Sequence, residues 1–172
     1  MHKNTENLSV KETLLLLTDK RKAMEQIVFS DEYFMNEALK EANKAFDEGE
    51  VPVGAIIVCK DHIVARAYNL TETLNDVTAH AEMQAFTAAA NYLGSKYLHD
   101  CTLYITLEPC LMCAGGAYWT QIGRIVYGAD DEKRGFSLLK VPVLHPATQL
   151  EKGILAKACS HLMTEFFQRK RS

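Results

Sequence analysis

Two short segments of the sequence carry residue types that bind metal ions. His80 lies in Thr-Ala-His-Ala-Glu (78–82), and Cys110 and Cys113 lie in Glu-Pro-Cys-Leu-Met-Cys (108–113). Histidine nitrogen and cysteine sulfur are preferred ligands of Zn²⁺, and a site with three protein ligands keeps its fourth tetrahedral position open. An open position is typical of a catalytic site. The two segments therefore predict a catalytic zinc site with these three side chains as ligands.

Glu82 follows His80 by two residues and is not needed as a ligand. A carboxylate beside the metal can take a proton from water and pass it to a substrate, and zinc makes water a better acid near neutral pH. The pattern H-x-E followed by P-C-x-x-C is the known signature of zinc-dependent nucleobase deaminases. The alternative is a closed structural zinc site with Cys101 or His99 as the fourth ligand, which would leave Glu82 without a role.

Each of the two segments should begin a helix. Thr78 or Asp76 is suited to cap a helix over 79–93, and Pro109 is suited to the first position of a helix over 110–122. The three-residue step between the cysteines would place both sulfurs on one helical face. The positive end of each helix would also favour the thiolate forms that metal binding requires.

The remaining elements follow from hydrophobic periodicity. Ser30 is a predicted N-cap for a first helix, and strands are predicted over 53–59, 62–67, 101–107, 124–128 and 149–152. The first helix should bury Phe34, Met35, Ala38, Leu39, Ala42, Ala45 and Phe46, and the last should bury Leu155, Ala158, Cys159, Leu162, Met163 and Phe166.

Lys60-Asp61 should turn the first two strands into a hairpin, and the third and fourth strands should be parallel because a helix connects them. This pattern predicts an α/β fold with three layers, α/β/α, around a five-stranded mixed sheet.

Composition is that of an ordinary globular enzyme. The 172 residues are 48% hydrophobic and 24% charged, with a net charge of −3. We expect one deaminase domain over 24–172 and a loosely attached extension over 1–23. The sequence has no apolar stretch long enough for a membrane span and no signal-peptide pattern, so no membrane partner is expected. Cys59, Cys101 and Cys159 are predicted to be buried free thiols, which favours a cytoplasmic protein.

The C-terminal end is locally basic although the chain is acidic. Phe167, Arg169, Lys170 and Arg171 are candidates for RNA contact, because cations bind phosphates and because Phe167, unlike Phe166, does not continue the inward stripe of the last helix. The alternative is a solvated helix end whose cations suit the negative helix dipole.

From about residue 28 to 171 the chain resembles the cytidine deaminase superfamily, and within it the bacterial tRNA-specific adenosine deaminases. The segments that carry the resemblance are Glu-Val-Pro-Val-Gly-Ala (50–55), Thr-Ala-His-Ala-Glu (78–82), Thr-Leu-Glu-Pro-Cys-Leu-Met-Cys-Ala-Gly (106–115), Ile-Gly-Arg-Ile-Val-Tyr-Gly-Ala (122–129), Leu-His-Pro (144–146), Gly-Ile-Leu (153–155) and Phe-Phe (166–167).

The resemblance implies a cytidine-deaminase-like fold and a homodimer with one Zn²⁺ per subunit, which converts adenosine to inosine at the tRNA wobble position. It implies that Asn69 bonds the flipped nucleoside, that the Ala81 N–H reaches the base and that Asp131 approaches the ribose. The chain departs from the family at Val77, where Pro is common, at 70–75, which lacks basic residues, and at Asp130, where Arg is frequent.

Two other functions stay open on these residues. One is a deaminase of free purines or nucleosides, similar to guanine deaminases. The other is a zinc-stabilised binding module without catalysis, which would require four protein ligands to the metal.

Overall fold

The structure, a computed structural model, describes residues 29–171 together with Lys11, Leu14, Leu15 and Thr18. The predicted extension over 1–23, and the boundary at residue 24, lie almost entirely outside the described residues. Within the described part of the chain, no helix has the length and apolar character that crossing a bilayer requires.

The predicted α/β fold with a five-stranded mixed sheet is confirmed. The elements in chain order are α1 (Asp31–Asp47), β1 (Gly54–Cys59), β2 (His62–Tyr68), α2 (Ala81–Leu93), β3 (Cys101–Leu107), α3 (Leu111–Thr120), β4 (Arg124–Ala129), a 3₁₀ turn (Phe136–Leu138), β5 (Gln149–Lys152) and α4 (Ala156–Arg169). The strand order is β2-β1-β3-β4-β5. Strand β1 is antiparallel to β2 and β3, whereas β4 is parallel to β3, as predicted, and to β5.

The two faces of the sheet bury separate clusters, because successive side chains of a strand point to opposite sides. Ile57 and Ile105 pack in a cluster with the alanines and Phe86 of α2 and α3. Ile56 and Val126 pack in the other cluster, with α1 and Cys159 of α4. Helices α2 and α3, which begin next to the predicted metal ligands, therefore share one face of the sheet.

Helix α1 begins as predicted, since the Ser30 hydroxyl accepts a hydrogen bond from the Tyr33 N–H at 3.1 Å. It packs very closely on β1. A Cβ atom on Gly54 would lie 2.2 Å from the backbone oxygen of Ala38 and 2.2 Å from the backbone nitrogen of Ala42. The strand can therefore approach the helix only with glycine at this position.

The predicted inner faces of the two outer helices need correction. Leu39 and Phe46 of α1 are only half-buried. In α4 only Cys159 and Phe166 are buried, and Ala158 is exposed. Helix α4 packs near the sheet edge, where β5 is short and fully exposed. Only a narrow stripe of the helix therefore contacts the core.

An ion pair ties the start of α1 to the central strands. Arg124 of β4 donates to both carboxylate oxygens of Asp31 at 2.7 Å, and the Tyr104 hydroxyl donates to Oδ1 at 2.7 Å. The Arg124 guanidinium is the main cause that holds the pKa of Asp31 below its ordinary value. The stability that Asp31 contributes is therefore present above the unfolded-state pKa near 3.8 and is lost as pH falls through the lower folded-state pKa.

We expect Asp31→Asn to lower the free energy of unfolding by about 1 kcal/mol at pH 7, since the pair is bidentate but partly exposed. The difference from wild type should shrink as pH falls below 4, because protonation removes the same charge from wild type. Urea unfolding at several pH values measures both effects. Glu32→Gln is the matched control for the helix dipole and should show a smaller loss; equal losses would contradict the assigned role of Arg124.

Candidate active site

The structure brings the three predicted metal ligands together. His80 Nδ1 lies 3.7 Å from Cys110 Sγ and 3.5 Å from Cys113 Sγ, and the three atoms all lie within 4.8 Å of one another. Tetrahedral bonds of about 2.0–2.1 Å to nitrogen and about 2.3 Å to sulfur separate a nitrogen and a sulfur by about 3.6 Å. The donor types and their spacing therefore fit Zn²⁺.

Two ligands converge because each is the N-cap of a helix. His80 caps α2 and Cys110 caps α3, both in extended backbone conformation and without a side-chain capping bond. The predicted caps were wrong: Asp76 instead accepts bonds from the N–H and hydroxyl of Thr78, two residues later. Pro109 does not open the helix either, since α3 begins at Leu111. Extended caps turn the two side chains away from their helices and toward each other.

The alternative of a closed zinc site requires a fourth protein ligand, and none lies near the other three among the described residues. Cys101 begins β3 directly opposite Cys59 of β1, and His99 Nε2 lies 2.8 Å from Gln121 Oε1. Neither belongs to the metal-binding group. Cys101 and Cys159 are buried free thiols as predicted, whereas Cys59 is only half-buried because it lies at the end of its strand.

Glu82 is buried in the first turn of α2 beside the ligands. Its carboxyl accepts bonds from its own backbone N–H and from the Cys113 thiol, and burial raises its pKa above the ordinary value. Hydrogen bonds from Cys113 and His80 lower the pKa of Cys110 to about 4. The lowered pKa favours the thiolate form that a metal ligand needs, and the carboxyl of Glu82 beside it can exchange protons.

These residues line a cavity of about 910 Å³. His80, Glu82 and Cys110 contribute to it from the helix starts, and Val53 and Thr71 from the segments around β1 and β2. The rest of the lining comes from the segment 129–134, from one side of α4 at Ser160, Met163, Thr164 and Phe167, from Arg171 just beyond that helix, and from Val51, Leu107 and Glu108. The metal-binding group is therefore accessible to a ligand of nucleotide size.

Glu108 holds the segment that follows β4 against the cavity. Its buried carboxylate accepts bonds from the backbone N–H of Asp131 at 3.1 Å and of Ser137 at 2.9 Å. A Cβ atom on Gly135 would lie 2.3 Å from Glu108 Oε2, so this residue must be glycine for the segment to close. The buried carboxylate was not among the predicted site residues, although its place between Leu107 and Pro109 in an apolar context could have indicated it.

Of the residues assigned by resemblance, only Asp131 lines the cavity, whereas Ala81 and Asn69 are buried next to residues that line it or its metal-binding group. The roles of all three stay predictions. Asp131 Oδ1 accepts bonds from the backbone N–H of Lys133 and Arg134. Ala81 is the first residue of α2, next to the ligand His80. The amide of Asn69 is buried and donates to Glu50 and Thr71, at 3.0 Å each.

The four candidates for RNA contact separate into two pairs. Phe167 and Arg171 line the cavity. Arg169 instead packs its guanidinium 4.7 Å from the centre of the Phe46 ring and pairs with Glu165, and Lys170 lies over Phe166. Two further cations in the lining, Lys133 and Arg134, were missed by the sequence analysis. The only signal was a basic pair after the acidic run 130–132.

Comparison with known proteins agrees with this site. Residues 29–129 match the family model described as the cytidine and deoxycytidylate deaminase zinc-binding region. A tRNA-specific adenosine deaminase of Aquifex aeolicus (strain VF5) is 44% identical over 146 residues, which cover 82% of this chain and 96% of the relative.

Two solved structures extend the comparison. A structure from a study of A-to-I editing by tRNA:A34 deaminases is 38% identical, with a TM-score of 0.71, and covers 76% of this chain and 98% of that one. Guanine deaminase from Bacillus subtilis is 39% identical, with a TM-score of 0.54, but covers only 56% of this chain and 62% of that one. The likeness to the tRNA deaminase thus covers a larger share of both chains than the likeness to the guanine deaminase. This chain belongs to the cytidine and deoxycytidylate deaminase family of zinc enzymes, in the branch of the tRNA-specific adenosine deaminases.

Proposed function

We propose that this enzyme hydrolytically deaminates adenosine to inosine at the wobble position of a tRNA anticodon. The observation that carries the proposal is the composition of one cavity, whose wall includes two of the three metal ligands, His80 and Cys110, together with Glu82, and also an aromatic ring and three cations. The first set of residues can deaminate a base. The second set, Phe167, Lys133, Arg134 and Arg171, can bind the nucleotides on either side of it.

The chemistry of this chain's own residues centres on Glu82. Zn²⁺ held by His80, Cys110 and Cys113 would supply the Lewis acid that makes water a nucleophile near neutral pH. Glu82 takes the proton that this water loses and delivers it to the purine ring as water adds at C6. The same carboxyl then carries the second proton to the amino group, which leaves as ammonia. The buried position of Glu82 keeps bulk water from competing for these protons.

An anticodon loop suits this cavity because its bases are already single-stranded. The target base must leave its stack to reach the metal-binding group, and the cost of doing so is small outside a duplex. The segment 70–75 supplies no cation beside the loop, so we infer that Lys133, Arg134 and Arg171 contact the phosphates instead. We also propose that the nucleoside is bound by the Ala81 N–H and by Asn69, and that Asp131 lies near its ribose.

We further propose that the enzyme is a cytoplasmic homodimer built from one deaminase domain over 24–172. Support for a dimer comes from α3, where Leu111 and Tyr118 lie two turns apart on one exposed side and Trp119 is 77% exposed. Tyr118 also makes edge contacts with Trp119 and His145, which extends this apolar patch. Exposed aromatic and aliphatic patches of this kind mark protein interfaces. The location follows from the proposed tRNA substrate.

The first test is the substrate itself. We expect the zinc-loaded chain to convert the wobble adenosine of an anticodon stem-loop to inosine, detected by mass spectrometry of the digested nucleosides, and to leave free guanine and adenosine unchanged. Turnover of a free purine together with inactivity on the stem-loop would favour the guanine-deaminase-like alternative. That alternative has some support from the partial likeness to the Bacillus subtilis enzyme.

The second test concerns Glu82. We expect Glu82→Gln to lower kcat on the stem-loop by at least about 10²-fold, because the amide cannot accept or deliver the protons, while bound zinc stays at the wild-type level. Metal analysis of the same preparation separates the two effects. Glu151→Gln, on the exposed strand β5, is the control and should leave both quantities unchanged. Zinc lost in parallel with activity would show that Glu82 is a ligand.

The third test concerns the cations of the cavity wall. We expect Arg134→Gln and Arg171→Gln each to weaken stem-loop binding and to reduce the slope of log K against log salt by about 0.7, the value for one phosphate contact of a single strand. Arg169→Gln is the matched control for Arg171→Gln. It removes the same charge only two residues away, but the Arg169 side chain packs on Phe46 and does not line the cavity. Equal effects at Arg169 and Arg171 would contradict the role assigned to the cavity wall.

A further inference from the structure

Glu50 is a buried charged residue that the proposed reaction does not yet use. It is 0% exposed and lies between the end of α1 and the start of β1. Carboxylates are almost never fully buried without a compensating group. Among residues 29–171, however, no lysine, arginine or histidine forms an ion pair with Glu50. Its compensation must come from hydrogen-bond donors.

Those donors all belong to one segment, 69–73, which follows β2. Glu50 Oε1 accepts the backbone N–H of Thr73 at 2.7 Å, and Oε2 accepts the N–H of Glu72 at 3.2 Å. Oε2 also accepts Asn69 Nδ2 at 3.0 Å and the Thr71 hydroxyl at 3.4 Å. Burial raises the pKa of Glu50, but these donors more than offset it, so the group is ionised at neutral pH.

The charge of Glu50 determines which way the Asn69 amide faces. An ionised carboxylate can only accept hydrogen bonds, so the NH₂ group of Asn69 must face it. The same nitrogen also donates to Thr71 Oγ1 at 3.0 Å, so both of its hydrogens have partners. Any hydrogen bond from the Asn69 side chain to a nucleoside must therefore be accepted by Oδ1 from an N–H or O–H group of the substrate.

We propose that Glu50 is a positioning residue of the deaminase, which holds the Asn69 amide and the segment 69–73 in the geometry that receives the nucleoside. The inference rests on the proposed function. It assigns Asn69 the role of a hydrogen-bond acceptor, so its partner is a ribose hydroxyl or the amino group of the base. Thr71, which bonds both Asn69 and Glu50, lines the cavity and transmits the same constraint to the wall.

Glu50→Gln is the sharpest variant because it keeps the shape of the side chain. Both oxygens of Glu50 accept hydrogen bonds, so the NH₂ group of glutamine must face at least one N–H donor of the segment 69–73. We expect kcat/KM on the anticodon stem-loop to fall about 10- to 100-fold, the range expected when a substrate-binding group is misplaced. Bound zinc should stay at the wild-type level.

A double-mutant cycle tests whether Glu50 acts through Asn69. If it does, Asn69→Ala and the double variant Glu50→Gln/Asn69→Ala should have kcat/KM values within about twofold of each other, since the orientation of a missing amide cannot matter. Losses that multiply would overturn the proposal, as would a Glu50→Gln enzyme with wild-type kcat/KM. Glu41→Gln, a buried carboxylate of α1 that bonds Lys44 and Arg66, is the control and should leave kcat/KM unchanged.

Amide hydrogen exchange provides a readout that does not depend on activity. Glu50→Gln should speed exchange at Glu72 and Thr73, whose N–H groups bond the carboxylate, but not at Asn69, whose N–H bonds the Val53 carbonyl at 3.0 Å. Unchanged exchange at Glu72 and Thr73 would show that the contact is not what holds the segment.

Two provisions keep the test decisive. If Glu50→Gln does not fold, Thr71→Val removes the hydroxyl that joins Glu50 to the amide, and it should lower kcat/KM in the wild type but not in Asn69→Ala. If the wild type is inactive on the stem-loop, the proposed substrate has failed, and the same cycle is then measured on the free purine that the enzyme accepts. Non-additivity there would still support the positioning role, and additivity would overturn it.

Discussion

The geometry of the site depends on one constraint. The His80 nitrogen at the start of α2 and the Cys110 and Cys113 sulfurs at the start of α3 must meet within 4.8 Å of one another. This is possible because α2 and α3 pack on the same face of the sheet and begin at the same cavity. Gly116 of α3 faces Met83 and Phe86 of α2, where an added Cβ atom would lie 2.9 Å from Met83 Sδ and 3.3 Å from the Phe86 ring. Two of the metal ligands, His80 and Cys110, are helix N-caps, where the backbone is extended and the side chains leave the helices, and Cys113 lies in the first turn of α3. Metal binding and the packing of this layer are therefore coupled.

Around this centre, the fold places buried carboxylates where backbone segments need to be held. Glu50 accepts hydrogen bonds from backbone N–H groups of the segment after β2, and Glu108 accepts them from the segment after β4. Each acts from beneath a segment that lines the cavity. Backbone N–H groups in such segments have no strand or helix partner, and a buried acceptor satisfies them at the place where irregular structure is needed. Each of these two segments is thus held by a buried acceptor, although neither belongs to a strand or an α-helix.

The distribution of charge also follows from the fold rather than from the overall composition. A chain with net charge −3 brings Lys133, Arg134 and Arg171 to one cavity, while Arg169 and Lys170 turn back onto aromatic rings of the chain. Arg169 is the last residue of α4 and Arg171 lies beyond the helix, so two residues of chain are enough to bring a cation to the cavity. The same wall also carries the carboxylates Asp130, Asp131 and Glu132, so the cavity offers a phosphate individual cations and not a uniformly basic patch.

Much of this could be predicted from the sequence alone. The spacing of His80, Glu82, Cys110 and Cys113 indicates metal chemistry because ligand types and short separations are local properties. Alternation and helical periodicity likewise predict the order of strands and helices, including the exact limits of β3 and β5, since side-chain period is set by backbone geometry. The Ser30 cap and the Lys60-Asp61 turn, with positive φ at both residues, are local in the same sense.

Only the tertiary structure decided the rest. His80 and Cys110, rather than Asp76 and Pro109, are the residues at the helix boundaries, because packing and metal-site geometry override capping preference. The apolar context of Glu108 could indicate its burial, but the partners of Glu50 and Glu108 could not be predicted from the sequence, because each contacts residues that lie about 20 to 30 positions away. Which cations face the cavity depends on how α4 and the segment after β4 pack against the sheet. Local chemistry depends on residues that are neighbours in the sequence, whereas a cavity is formed by segments that meet only when the chain has folded.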